Sequence, residues 1–198
     1  MALTRVQIIS QALTLLGKAP IMNLTNQSDI VTAADAAFDM LLTAQLSTGF
    51  WRFATTIIEL QQSVNTPIGG YWLYSYPLPA DYLKLVHLWP QTYDFEIYQN
   101  GQIYSNFNNA NQPFFLEYVF APLVQNLPPY FVKYFIYELG AYLALANAQR
   151  PDYFQVLDAK KGIELAIAQA ADCQNRPQTP LQSAPMLTRR YVSSSPSG

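Results

Sequence analysis

Apolar residues recur every three or four positions at both ends of the chain, and in the middle they alternate or run together. Near the start, Val6, Ile9, Leu13 and Leu16 form a stripe at helical spacing. Thr4 and Gln7 have the spacing of a capping box, and Gly17 followed by Pro20 ends a helix predicted over 3–17. After the polar loop NLTNQSD, Ser28 or Asp29 caps a second helix over 30–48, with Ala34, Phe38 and Leu41 on its apolar face and Gly49 as its stop. From 50 to 120 the pattern is that of strands. FWRFATTIIEL, YWLYSYPL, LKLVHLW and PFFLEYV are β-branched and aromatic, and the apolar run in LKLVHLW predicts a strand covered on both faces. FEIYQNGQIYS predicts a hairpin in which Asn100-Gly101 forms a two-residue type I′ turn, pairing Tyr98 with Ile103 and Ile97 with Tyr104.

Pro128-Pro129 restarts helix. The segment over 130–149 is apolar almost all round, which predicts a central helix buried by several partners. Pro151 suits the first turn of a fourth helix over 152–173, whose stripe Val156, Ala159, Ile163, Ala166, Ile167 and Ala170 predicts close approach to a neighbouring helix. The predicted fold is therefore α+β: a four-helix bundle, two helices from each end, with an inserted antiparallel β-sheet. Residues 1–174 form a single domain in this reading. From 175 onward periodicity is lost and four of the chain's 14 prolines cluster, so 175–198 is either a disordered end or an extended arm that orders on a partner. Leu181, Met186, Leu187 and Tyr191 are spaced as anchors for the second case.

Composition sharpens this picture. Only 12% of the 198 residues are charged, against about 25% in an ordinary domain, while 14% are aromatic, including 14 Tyr. A surface poor in charge and rich in Tyr favours a protein that lives in an assembly. The tail holds Arg176, Arg189 and Arg190 and no acid, so it is +3, and the remaining 8 basic and 13 acidic residues make the body −5. An acidic body argues against sequence-independent DNA binding. The N-terminus lacks signal-peptide features, and the most apolar stretch, 129–148, contains Lys133 and Glu138, so the chain is expected to be soluble and made in the cytoplasm.

The sequence carries no recognisable catalytic constellation. His87 is the sole histidine and reads as a structural residue in a covered strand; Cys173 reads as a small buried hydrophobe. One His and one Cys make no zinc cluster, Asp94 and Glu96 flank a surface hairpin, and Gly69-Gly70 lacks phosphate-loop spacing. Lys160-Lys161 reads as solvent-facing charge. No catalytic, cofactor or metal residue is expected.

Three segments, in order, give the chain a resemblance to a known group. ALTLLGKAPIMNLTNQSDIVTAADAAFDML has a helix ending in Leu-Gly, a Pro, a polar loop with Asp and an Ala-rich helix. GFWRFA carries Gly-x-x-x-Phe at the join of helix and sheet. LPADYLKL carries a Leu-Pro-x-Asp-Tyr-Leu turn. Over about residues 3–174 the chain resembles the head-to-tail adaptor proteins of short-tailed phages, the tail tubular protein A group. The resemblance does not extend to an arm motif in 175–198.

The resemblance implies a structural virion protein made in the host bacterial cytoplasm. A homo-oligomeric ring, usually of twelve copies, joins the portal ring to the tail nozzle protein and continues the channel for double-stranded DNA without binding it specifically. No membrane is involved. On that mapping, Arg176, Leu181, Met186, Leu187, Arg189, Arg190 and Tyr191 belong to a portal-contact arm, and Tyr98, Asn100, Gly101 and Gln102 to a nozzle-side hairpin. Two other functions compete with it: a phage-tail module binding host-surface glycan on Trp72, Tyr74, Tyr76 and Trp89, and a hydrolase using His87.

Overall fold

The computed structural model describes residues 3–25, 28–64, 70–91, 93–98, 101–110, 112–146 and 151–174. It is an α+β fold of four helices, α1 (Arg5–Leu15), α2 (Asp29–Thr48), α3 (Pro129–Ala146) and α4 (Pro151–Cys173), with six strands between the second and third. The strands are β1 (Thr55–Leu60), β2 (Tyr74–Pro77), β3 (Tyr82–Trp89), β4 (Phe95–Tyr98), β5 (Gln102–Ser105) and β6 (Phe114–Phe120).

Local chemistry sets the helix ends. The Thr4 backbone N–H donates to Gln7 Oε1 at 2.9 Å and the Gln7 N–H to Thr4 Oγ1 at 3.4 Å, so the capping box satisfies two donors the helix leaves free. Gly17, at φ +70°, takes the left-handed turn that closes α1. α3 is the hub: it packs on α1, α2 and α4, and buries Phe131, Val132, Phe135, Leu139 and Leu143. Phe38 of α2 meets Phe135 edge-on at 5.1 Å.

The middle of the chain is not one sheet, as the sequence predicts, but two. One has the order β1-β6-β3 and the other β2-β5-β4, all antiparallel. Their facing sides enclose a second core of Leu60, Tyr76, Leu88, Ile103, Phe107, Phe114, Leu116 and Tyr118. The chain changes sheets at Leu78–Asp81. Here the Leu78 N–H donates to the Gly101 carbonyl at 2.8 Å, closing one ladder, and the Tyr82 N–H donates to the Pro79 carbonyl at 3.2 Å, opening the next strand. Asp81 fixes the corner, accepting from the Tyr118 hydroxyl at 3.0 Å while its carbonyl accepts from the Ala121 N–H at 3.1 Å.

β3 is covered on both faces, and irregularity in its pairing is what allows it. Its register with β6 shifts between Tyr82 and Lys84 and between Leu85 and His87. Leu83 and Val86 then pack against the helical core, and Tyr82, Leu85 and Leu88 against the inter-sheet core.

The helix–sheet junction differs from the predicted strand. Arg52–Ala54 form a 3-10 turn, and β1 begins at Thr55. Trp51, 1% exposed, fills the junction, and its indole N–H donates to the Gln45 carbonyl at 3.0 Å. A Cβ on Gly49 would overlap that indole, which accounts for glycine here. Asp172, also 1% exposed, accepts from the Arg52 N–H at 2.6 Å, the Phe53 N–H at 3.3 Å and the Tyr130 hydroxyl at 2.7 Å. The last turn of α4 is thus tied to both α3 and the start of the β region. With Asp172 turned inward, Cys173 is exposed rather than buried.

Candidate functional site

β4 is a free edge of the second sheet, and all four of its residues, Phe95, Glu96, Ile97 and Tyr98, are exposed. Its partner β5 buries Ile103, Tyr104 and Ser105, so the hairpin has one anchored strand and one open one. The pairing is Tyr98 with Gln102, Ile97 with Ile103 and Glu96 with Tyr104, one step away from the predicted register. Gly101, at φ +74°, donates its N–H to the Tyr98 carbonyl at 3.1 Å. The loop therefore holds three residues and closes with a left-handed glycine, which sets this register where a two-residue turn would set the other. The bond from Leu78 holds Gly101 against the sheet-switching corner.

Tyr98 is the best-organised side chain of the hairpin. Its hydroxyl donates to Glu96 Oε2 at 2.7 Å and accepts from the Trp72 indole N–H at 3.4 Å, and its ring lies 4.7 Å from that of Tyr104. The neighbouring Glu96 carboxylate raises the Tyr98 pKa above its ordinary value. Tyr98, Gly101 and Gln102 are thus brought together at one end of the β region. Asn100 lies outside the described residues, as do all seven arm residues, Arg176, Leu181, Met186, Leu187, Arg189, Arg190 and Tyr191.

More apolar surface sits on the β region than the hairpin alone. Tyr71, Leu73, Trp89 and Tyr93 are exposed as well as Phe95 and Ile97. Alternation identifies strands but does not say which face lacks a partner, so of these the sequence singled out only Trp89 as a candidate surface residue. The glycan platform is not assembled: Tyr76 is fully buried, Trp72 is 8% exposed, and only Trp89 of the four reaches solvent substantially. The Tyr76 hydroxyl instead donates to the Phe107 carbonyl at 2.6 Å, serving the inter-sheet core.

His87 pairs with Gln91 through Nε2, stacks near Trp89 at 4.6 Å, and faces Glu117 across the β3–β6 ladder. Its neighbours are those of a strand residue at the sheet edge. Among the described residues no group of three or more His, Cys, Asp and Glu has the geometry to hold a metal ion. Among the same residues no helix is long and apolar enough to cross a membrane.

A second apolar surface lies on α4. The face toward α3 carries Leu157, Glu164, Ala168 and Asp172, and ion pairs secure it: Lys133 to Glu164 at 2.8 Å and Lys161 to Glu138 at 3.5 Å. Lys161 is thus part of the helix contact rather than free surface charge, whereas Lys160 is exposed. The stripe Val156, Ala159, Ile163, Ala166, Ile167 and Ala170 is exposed throughout, contrary to the packing its spacing predicts.

Comparison with models of known families and with curated proteins finds no match to this chain.

Proposed function

We propose that this chain is a non-catalytic neck protein of a short-tailed phage. Copies form a ring between the portal and the tail nozzle that continues the DNA channel in the virion. What carries the proposal is the surface: a body with few charges exposes apolar side chains in two separate places, along β4 and along the outer face of α4. A protein stacked between other rings needs such faces, and a monomeric solution protein rarely tolerates them. The resemblance supplies the particular assembly, and its motifs fall at positions the fold depends on. Leu16-Gly17 closes α1, Gly49 and Phe53 flank the Trp51 junction, and Asp81-Tyr82 turns the chain from one sheet to the other.

In this proposal the four helices act as a bundle against the portal and the neighbouring copies, and the β end with Tyr98, Gly101 and Gln102 faces the nozzle. Residues 175–198 reach onto the portal, where their three arginines suit an acidic partner surface. The acidic body lets DNA pass without retained phosphate contacts. Co-sedimentation with the portal ring encoded by the same genome tests it. Binding that is lost on deleting 175–198 supports the arm assignment, and binding that survives the deletion removes it.

A further inference from the structure

α4 has apolar residues on two nearly opposite faces, and among the described residues only one of those faces is covered. Val156, Ile163 and Ile167 are 62%, 55% and 53% exposed, and Ala159, Ala166 and Ala170 lie between and beside them on the same face. In a helix that packs on one neighbour, those positions are ordinarily polar. Among the α4 residues whose side chains are described, Lys160 is the charge bordering the stripe, and it has no ion-pair partner among the described residues.

The outer face of α2 matches this stripe in shape and charge. It exposes Met40, at 55%, among the small residues Ala36, Thr43 and Ala44, a shallow surface into which isoleucine side chains can set. At its border Arg5 is shared by two carboxylates, Asp35 at 2.8 Å and Asp39 at 2.8 Å, which leaves one negative charge unbalanced. That charge complements Lys160. α2 and α4 each pack on α3 rather than chiefly on one another, so their outer faces look in different directions from one body.

We propose that the outer face of α4 in one copy packs on the exposed face of α2 in the next copy of this chain. Such a contact is heterologous, and repeating it gives a ring or an open array instead of a closed pair. The proposal deepens the neck assignment and rests on it for the ring, but the contact itself is a property of the isolated chain. From Val156 to Ala170 the stripe runs about 21 Å at 1.5 Å per residue, and with a helix about 10 Å wide it offers on the order of 200 Å² per copy. A stable pair needs about 800 Å² per partner. The contact is therefore weak alone and becomes occupied when a template raises the local concentration.

Cysteine cross-linking at high protein concentration tests this without a partner. In a Cys173→Ser background, Met40→Cys and Ile163→Cys are made singly and together and treated with a short bismaleimide. The proposal expects a ladder of dimer, trimer and larger species from the double variant, and only trace dimer from either single variant. Adding Lys160→Glu should reduce the ladder several-fold at low salt and much less at high salt. Dimer from Ile163→Cys alone, equal in yield to the double variant, would mean that α4 meets α4 and overturns the proposal. No ladder from a double variant with a native circular dichroism spectrum overturns it as well. Portal binding by the parent chain is read separately: a ladder without portal binding removes the neck assignment and leaves the contact, and portal binding without a ladder does the reverse.

Discussion

Replacing Asp172 by Ala removes the acceptor that joins α4, α3 and the start of the β region. Its carboxylate takes three hydrogen bonds, from the Arg52 and Phe53 N–H groups and the Tyr130 hydroxyl, in a site 1% exposed. Hydrogen bonds to a charged group contribute about 1.5–3 kcal/mol each. Their sum overstates the loss, because the Phe53 bond is long at 3.3 Å and all three share one carboxylate. A loss of about 3 kcal/mol is expected, dominated by leaving the Arg52 N–H without an acceptor in the interior. For a chain of this length about 1 kcal/mol moves Tm by about 2–4 °C, so Tm should fall by about 6–12 °C. Tyr130→Phe, which deletes one bond and no charge, should lose about 1.5 kcal/mol, and the double variant should lose less than the two single losses added. Thermal unfolding followed by circular dichroism at 222 nm measures all three. A Tm for Asp172→Ala within about 2 °C of the parent would refute the role given to this carboxylate.

Gly49→Ala should destabilise by about 2–3 kcal/mol, because the new methyl overlaps the Trp51 indole in a filled junction; urea denaturation with tryptophan fluorescence reads both the midpoint and the displaced ring. Alkaline titration at 295 nm should leave part of the tyrosine unionised until the fold opens. Burial, then the hydrogen bond to Asp81, pushes Tyr118 up to about 12; burial also raises Tyr134, Tyr76 and Tyr82 above their ordinary value of 10.0. A folded pKa above the unfolded one adds stability that is complete below pH 10 and is lost as pH rises through the folded value. The chain should therefore lose stability between about pH 10 and 12, and Tyr118→Phe should reduce that slope. All tyrosines titrating together near pH 10 with the fold intact would contradict it.

The helices were legible because their determinants are local. Thr4, Gln7 and Gly17 bound α1 through bonds spanning three or four residues, and Pro151 marks the start of α4 as its fixed φ requires. The division of the β region into two sheets was not legible. Pro77–Asp81 reads as a turn whichever sheet the next strand joins, and that choice is made when β3 pairs with β6, some thirty residues on. The hairpin register was missed by one residue for a related reason: the sequence Asn-Gly suits both a two-residue turn and a three-residue loop ending in left-handed glycine. The bond from Leu78 to Gly101 accompanies the second.

α4 shows the same limit at the candidate surface. Both of its faces carry apolar residues, and spacing cannot say which one meets α3. Long-range partners decide it: Lys133 draws in Glu164, and the Arg52–Phe53 backbone draws in Asp172. The stripe the sequence assigned to a neighbouring helix is thereby turned to solvent. His87 and the Asn-Gly turn were visible as individual residues, whereas Tyr71, Tyr93 and Phe95 became notable only once β4 proved to be an uncovered edge.

The most direct test of the neck assignment is electron microscopy of this chain mixed with the portal ring encoded by the same genome. A second ring of density stacked coaxially on one face of the portal is expected, with the same rotational order at its contact and an open central channel. Bare portal rings beside free, folded chain, at concentrations where both are in excess of any reasonable dissociation constant, would contradict it.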